Sequence, residues 1–154
     1  KRFLWYVCCG PEFPNTFLRS SLAESYLIGV ITSFAGLDGF LRWNYMVFND
    51  DPRADIRYYI FPAGDTNFVY PAKNGAPLLT LRYKALRRGI ELYELLERAK
   101  EVAPDAAQAA FDTLLHTEKW GDPTALRALP ATLDYNAYAT VRRNLMLALS
   151  GKQR

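Results

Sequence analysis

Hydrophobic residues occur in short continuous runs and in helical repeats, and these two patterns alternate over the first hundred residues. The first run is Phe3–Cys9, which is apolar at every position and is followed by Gly10-Pro11. Its length, its aromatic side chains and the two residues that end it predict a strand. Because no position is polar, we expect both faces of this strand to be covered, as in a parallel sheet packed between helices.

Helical spacing follows over Leu18–Phe34, and Gly36 is suited to end that helix. A second strand is predicted at Gly39–Tyr45 and a third at Asn67–Tyr70. The stretch between them, Met46–Thr66, is rich in turn residues and predicts a long irregular loop. Loops of this length in compact domains are usually functional.

Three further helices are predicted in the second half of the chain. The longest covers Thr80–Val102, with Thr80 as its N-cap and an apolar face made of Leu86, Ile90, Tyr93 and Leu96. The next begins at Pro104 and continues to about His116. The last begins after Asp134, a good N-cap, and ends at Gly151.

Alternation of strands and helices predicts an α/β fold with about three parallel strands, flanking helices and extra C-terminal helices. Three strands cannot close a (β/α)8 barrel, which needs eight strands and about 250 residues. The chain is therefore either a small open sheet or the C-terminal portion of such a TIM-type barrel. Lys1 stands directly before an apolar run, which favours a chain cut from a longer protein. We expect residues 1–103 to form the last β/α units and residues 104–154 a helical extension packed on them.

Composition excludes several classes of function. The net charge of +3 comes from scattered Lys and Arg residues, so nucleic acid is not an expected partner. No apolar stretch of about 18 residues is present, so no membrane span is predicted. His116 is the only histidine and Cys8 and Cys9 are adjacent, which leaves no spacing typical of a metal site. We expect neither a metal nor another cofactor, and no disulfide between cysteines that a strand would point to opposite faces.

Candidate binding residues follow from the strand ends, because α/β proteins bind ligands beyond the carboxyl ends of their parallel strands. Aromatic rings and polar groups stand there together, as recognition of a sugar requires: rings to contact C–H faces and polar groups to hold hydroxyls. The predicted substrate-binding residues are Trp43, Asn44, Tyr45, Tyr70 and Asp65. We expect Arg42 and Arg82 to be structural instead, tying the loops together by charge-assisted hydrogen bonds.

A set of short motifs runs in order through residues 3 to 100: Trp5-Tyr6-Val7-Cys8, Asp38-Gly39-Phe40-Leu41-Arg42-Trp43, Asp51-Pro52, Pro62-Ala63-Gly64-Asp65, Val69-Tyr70-Pro71 and Leu86-Arg87-Arg88-Gly89-Ile90-Glu91. This ordered set resembles the catalytic domain of glycoside hydrolase family 123, which is also catalogued as a C-terminal domain of unknown function. The resemblance ends near residue 100, so residues from about Pro104 onward carry no such signal.

The resemblance implies a β-N-acetylgalactosaminidase-like enzyme with a substrate-assisted retaining mechanism, in which the 2-acetamido oxygen of the substrate attacks the anomeric carbon. An adjacent Asp-Glu pair orients that group and protonates the leaving oxygen. This sequence contains no Asp-Glu dipeptide, so no catalytic residue is assigned and the pair is expected outside the chain. The resemblance favours a secreted or periplasmic protein, whereas the residues themselves assign no compartment.

Two classes of function stay open. In the first, the chain is part of a hydrolase of N-acetylhexosaminides and supplies the sugar-binding rim. In the second, it is a non-catalytic carbohydrate-binding or protein-interaction domain. An incomplete barrel leaves sheet edges and apolar faces uncovered, so we also expect self-association or pairing with the missing N-terminal part.

Overall fold

The computed structural model describes residues 1–72, 75–117 and 131–151. The rest of the predicted extension at 104–154 lies outside the described residues. The fold is mixed α/β, with four strands and four helices among the described residues, in the order β1 (Leu4–Tyr6), α1 (Leu22–Phe34), β2 (Gly39–Leu41), β3 (Val69–Tyr70), β4 (Leu78–Leu79), α2 (Leu81–Val102), α3 (Pro104–Leu115) and α4 (Tyr135–Ser150).

Only two of the three predicted strands pair in parallel. β1 and β2 are joined through α1, and Leu4 pairs with Gly39 and Tyr6 with Leu41. β3 forms a separate antiparallel sheet with β4, an element that we did not predict. The prediction of a third parallel strand is therefore wrong. Pro71 directly follows β3 and cannot donate a hydrogen bond to a strand ladder, and the chain then returns so that Leu79 pairs with Val69.

The two faces of the β1–β2 sheet differ in how they are covered. Trp5 faces α1 and donates a hydrogen bond from its Nε1 to Thr32 Oγ1 at 2.9 Å. On the opposite face Leu4, Tyr6 and Leu41 are 55%, 45% and 52% exposed. The prediction that both faces of the first strand are covered is thus wrong for the described residues. We call this open surface the uncovered sheet face.

Local hydrogen bonds set the limits of α1. The helix begins at Leu22 rather than at Leu18 because Ser21 and Glu24 form a capping box. The Glu24 carboxylate accepts a hydrogen bond from Ser21 N at 2.8 Å. The predicted end at Gly36 is confirmed, since Gly36 adopts a φ of 65° just after the C-cap.

The N-cap of α2 is confirmed, but its buried face is not the predicted one. Thr80 Oγ1 accepts a hydrogen bond from Tyr83 N at 3.1 Å. Of the four predicted face residues only Leu96 is fully buried, whereas Ile90 is 47% exposed. The buried side of the helix consists of Arg82, Ala85, Gly89, Leu92, Leu96 and Ala99.

The main core lies among the four helices. It is formed by apolar side chains from each of them, including Leu27, Leu92, Leu96, Phe111, Leu114, Tyr138 and Val141. α1 and α2 cross at a pair of glycines, Gly29 and Gly89. Both α3, which begins at the predicted Pro104, and α4, capped by Asp134 as predicted, contribute to this core. Among the described residues no helix combines the length and the apolar character needed to cross a membrane.

Candidate functional site

The carboxyl ends of β1 and β2 lie side by side because the two strands are parallel. A buried ion pair lies beneath this edge. Arg42 Nη2 contacts Asp65 Oδ1 at 2.5 Å, and the two side chains are only 4% and 0% exposed. Arg42 Nε also donates to the backbone oxygen of Asp65 at 3.0 Å. The long loop before β3 is thereby fixed to the end of β2.

The same guanidinium reaches the loop that follows β1. Arg42 Nη1 donates to Val7 O at 3.2 Å and to Asn15 Oδ1 at 3.1 Å. Asn15 is fully buried, and its Nδ2 donates in turn to the carbonyls of Cys8 and Pro11 at 2.5 and 2.6 Å. Burial lowers the pKa of Arg42, and the charge of Asp65 opposes that shift. Arg42 therefore holds three chain segments together, as predicted.

Arg82, in the first turn of α2, likewise connects separate chain segments by hydrogen bonds. It is 5% exposed, and its Nη1 donates to Thr16 O and Gly64 O, both at 2.8 Å. Burial lowers its pKa to about 10. Gly64 adopts a φ of 86°, and an added Cβ would lie 2.8 Å from Arg82 Nη1. The Pro62–Asp65 motif thus needs glycine both for its backbone conformation and for the approach of this arginine.

The structure corrects the role predicted for Asp65. We expected its carboxylate to contact a sugar, but the residue is 0% exposed. One carboxylate oxygen is bound by Arg42 and the other accepts from Trp43 Nε1 at 3.3 Å. A buried carboxylate requires such partners because an unpaired charge away from water is costly. Asp65 therefore lies beneath Trp43 as a buried partner and is not exposed to solvent.

Trp43, Asn44 and Tyr45 lie together in a groove of about 480 Å³ between the end of β2 and the start of α2. We call this the Trp43 groove; its lining consists of Phe40, Arg42, Trp43, Asn44, Tyr45, Phe68, Tyr83, Leu86, Arg87 and Ile90. Its volume is in the range of small-molecule sites, and its lining combines aromatic rings with polar groups. Three of the five predicted binding residues are thereby brought to one place.

The Trp43 ring is anchored on two sides and open on the groove. Its Nε1 is held by Asp65, and its ring lies against Phe61 with the centroids 4.6 Å apart. The residue is 38% exposed, far above the exposure of a core tryptophan. Its orientation is therefore fixed by the side chains around it.

Asn44 and Tyr45 offer different groups to the groove. Asn44 Oδ1 accepts from the backbone N–H of Tyr45 and Met46 at 2.8 and 3.3 Å, which leaves its Nδ2 as the free donor among the described residues. Tyr45 is 48% exposed, and its ring meets Tyr83 edge-on at 6.3 Å. Desolvation, and next the neighbouring Tyr83, raise the pKa of Tyr45. It therefore stays a neutral phenol that can both donate and accept.

Tyr70 is not brought to the Trp43 groove. Its ring stacks on Phe48, with the centroids 6.5 Å apart and the planes 21° apart. The cause is the pairing of β3 with β4, since β3 does not continue the parallel sheet of β1 and β2. The expected convergence of three strand tips is thus observed for β2 and its neighbouring loop but not for β3.

Three residues near the site were missed. Tyr83 and Arg87 project from the first turns of α2 into the groove; their spacing of four places them on one helix face. Tyr6 lies at the end of β1 on the uncovered sheet face. Desolvation, followed by the nearby Cys8, raises its pKa. Tyr6 belongs to the apolar run that predicted β1, and alternation within that strand was the signal that separated it from Trp5.

The described residues thus form a mixed α/β fold with a ring-lined groove at the carboxyl edge of a parallel strand pair, the place where α/β proteins bind their ligands. The model of the glycoside hydrolase 123 catalytic domain matches residues 1–99. Because this is more than half of the chain, the protein belongs to glycoside hydrolase family 123.

A solved structure supports the same fold. It is that of a family 123 glycoside hydrolase from Clostridium perfringens, studied for glycolipid glycan hydrolysis, and it superimposes with a TM-score of 0.62 at 18% sequence identity. The match covers 95% of this chain and 26% of that one. The chain therefore spans about a quarter of that protein's length. No curated protein sequence matches the chain.

Proposed function

We propose that this chain is the C-terminal portion of a (β/α)8-barrel glycoside hydrolase domain and supplies part of its sugar-binding rim. Residues 1–103 are the last β/α units in this proposal, and residues 104–154 are a helical extension packed on them. The substrates are N-acetylhexosaminides, with β-N-acetylgalactosaminides as the first candidates. The reaction is substrate-assisted and retaining, and its Asp-Glu pair belongs to a part of the protein outside this chain.

The uncovered sheet face next to the Trp43 groove is the observation that carries the proposal. Leu4 and Leu41 lie in neighbouring parallel strands and are about half exposed, although strands with helices on one side normally bury their other face as well. If further strands closed this sheet into a barrel, the inward-facing side chains of those strands would cover them. Such strands would also complete the wall of the groove, which the end of β2 and the start of α2 form on this side.

The groove chemistry supports a neutral, hydroxyl-rich ligand. Trp43 presents a fixed ring, Asn44 a free amide donor, and Tyr45 a hydroxyl that is uncharged at neutral pH. A 2-acetamido sugar has C–H faces for the ring and carbonyl and hydroxyl oxygens for the donors. Arg87 adds the one charged side chain of the groove that is not engaged in the buried ion pair.

Hydrolysis by the full-length polypeptide tests the enzyme directly. We expect release of p-nitrophenol from p-nitrophenyl 2-acetamido-2-deoxy-β-D-galactopyranoside, and none from the corresponding galactoside, which lacks the acetamido nucleophile. Equal rates on both substrates would contradict the substrate-assisted mechanism. A correctly folded full-length protein that binds N-acetylgalactosamine without cleaving either substrate would favour the non-catalytic carbohydrate-binding alternative.

Binding to the groove is tested by Trp43→Ala. We expect this variant to weaken the binding of N-acetylgalactosamine by roughly two- to ten-fold, since aromatic contacts contribute about 0.5–1.5 kcal/mol. Tyr59→Ala is the matched control, because Tyr59 is a ring exposed to 85% that does not line the groove. Unchanged sugar affinity in Trp43→Ala with reduced stability would favour a protein-interaction domain.

The proposed barrel is tested by the association state of the chain. We expect residues 1–154 alone to self-associate in analytical ultracentrifugation through the uncovered sheet face. Leu4→Ser with Leu41→Ser should reduce this association, whereas Leu147→Ser should not, although Leu147 is 63% exposed on α4. A monomer that stays soluble at high concentration would count against missing neighbouring strands.

A further inference from the structure

The two cysteines of the sequence, Cys8 and Cys9, lie side by side just beyond β1. Their Sγ atoms are 3.4 Å apart, within hydrogen-bonding distance for sulfur. The expectation that these residues point to opposite faces is wrong, because β1 ends at Tyr6 and the pair lies in a bend after it. Cys9 is exposed and Cys8 half-buried, so small reagents reach the pair from solvent.

Buried side chains fix the backbone around this pair. Arg42 Nη1 donates to Val7 O at 3.2 Å, and Asn15 Nδ2 donates to Cys8 O at 2.5 Å. The N–H of Cys8 itself donates to Gly10 O at 3.0 Å. Because these bonds hold the main chain in one conformation, the directions in which the two Cβ atoms project are also fixed. The two sulfurs therefore project from a fixed main chain and lie next to each other in the native state.

The described surroundings of the pair are not those of a metal site. Within the part of the chain that the structure describes, no group of three or more His, Cys, Asp or Glu side chains is arranged to hold a metal ion. Two thiols alone do not provide the four ligands of a structural zinc site. We propose that Cys8 and Cys9 form a site of reversible oxidation, at which hydrogen peroxide converts the two thiols into a disulfide between neighbouring residues and a dithiol reductant restores them.

The reaction proceeds in two steps. The thiolate of one cysteine attacks a peroxide oxygen, the O–O bond breaks, and a sulfenic acid and one water form. The neighbouring sulfur then attacks the sulfenic sulfur, the S–S bond forms, the S–O bond breaks, and the oxygen leaves as a second water. The pair loses two protons and two electrons, and the peroxide is reduced to two molecules of water.

The resulting disulfide is easily reduced because the two residues are neighbours. A trans peptide bond holds their Cα atoms about 3.8 Å apart, whereas ordinary disulfides span about 4.4–6.8 Å. This deviation strains the bond, and strained, exposed disulfides are the labile ones. The pair is consequently suited to switching between two states rather than to permanent stabilisation of the fold.

The pair lies close to a residue of the uncovered sheet face. Cys8 lies close enough to Tyr6 to contribute to the raised pKa of that phenol, and Tyr6 is on the uncovered sheet face. Closing the disulfide removes the ionisable S–H of Cys8, although the sulfur atom itself stays near the phenol. This inference does not depend on the proposed hydrolase, since it rests on the two sulfurs and the hydrogen bonds around them.

Intact-mass spectrometry tests the proposal. The 154-residue chain is treated with hydrogen peroxide, and the remaining thiols are blocked with N-ethylmaleimide. We expect the monomer to lose two hydrogen atoms and both alkylation sites together, and to regain them after dithiothreitol. Since the sequence has no other cysteine, this product identifies the pair without further mapping. Oxygen addition to a single cysteine as the main product, or a disulfide-linked dimer, would overturn the proposal.

Two comparisons show whether the folded structure promotes the reaction or whether any two neighbouring thiols would react in the same way. We expect the folded chain to close the disulfide about ten-fold faster or more than a synthetic peptide of residues 1–16, because orientation is set in advance; equal rates would refute that argument. Cys8→Ser and Cys9→Ser, each checked for native circular dichroism, should give only a sulfenic acid trapped by dimedone. Loss of two hydrogen atoms in either variant would show that the oxidation occurs elsewhere.

Discussion

The close crossing of α1 and α2 gives the sharpest test of the fold. An ideal Cβ built on Gly89 would lie 2.5 Å from Ser25 O, and one built on Gly29 would lie 2.1 Å from Gly89 O. Both neighbours are backbone atoms, so no side-chain rotation relieves the contact. Either substitution to alanine must therefore move one helix relative to the other.

Two effects of opposite sign compete in Gly89→Ala. Helix propensity alone would stabilise the protein by about 1 kcal/mol, because alanine is the better helix former. Restoring an ordinary contact of 3.4 Å requires a helix shift of roughly 0.9 Å, and overpacking in a core typically costs about 1–3 kcal/mol and occasionally more. The shift also loosens Leu92 and Leu96, which are buried in the same helix. A backbone contact of 2.5 Å belongs in the upper part of that range, so we expect a net loss of about 1–2 kcal/mol in the free energy of unfolding.

Thermal and urea unfolding followed by circular dichroism measure this change. A loss of that size lowers the melting temperature by roughly 2–8 °C in a protein of this length. Gly151→Ala is the matched control, because Gly151 has a φ of −70° and its added Cβ would come no closer than 3.5 Å to Leu147 O. We expect the control to change stability by less than about 0.5 kcal/mol. A Gly89→Ala protein as stable as the original, or more stable, would refute the close crossing.

Three further substitutions test the buried network and the cap of α2. Arg42→Met should cost about 3–5 kcal/mol in urea unfolding because it leaves Asp65 charged, buried and without its cation, and adding Asp65→Leu should recover most of that loss. Asn15→Asp keeps the side-chain shape but replaces the donor to two backbone carbonyls, so we expect a loss of about 2–4 kcal/mol and a lower melting temperature. Thr80→Ala should cost about 1–2 kcal/mol in urea unfolding, whereas Thr80→Ser should be near neutral.

Features decided by near neighbours in the chain were predicted correctly. The N-caps Thr80 and Asp134, the start at Pro104 and the helix end at Gly36 all depend on a side chain or a backbone conformation within a few residues. Such signals can be recognised in a single sequence because the hydrogen-bonding partners are close together along the chain. The start of α1 was misplaced only because the capping box at Ser21 was overlooked.

Features decided by distant partners were predicted poorly. The apolar residues of α2 suggested a face through Ile90, but the crossing with α1 at Gly89 turns that side of the helix outward. In the same way β3 was predicted to be a third parallel strand. The chain after β3 turns back, and β4, which begins at Leu78, pairs with β3 in the antiparallel direction. Neither a glycine that allows close approach nor a two-residue partner strand has a periodic signal that one sequence could reveal.

Several motif residues of the chain form one buried network beneath Trp43, and Asp65 is part of it. Asp65 was predicted to bind a sugar and Arg42 to support the loops, and the structure makes both of them, together with Asn15, part of one buried network. Trp43 differs because it joins this network through one nitrogen and keeps more than a third of its surface open. A substitution that breaks the network should therefore lower stability and binding together, whereas Trp43→Phe should lose the anchoring hydrogen bond while retaining a ring. If Trp43→Phe binds N-acetylgalactosamine as tightly as the original, the network beneath the groove serves folding alone and does not orient the ring for a ligand.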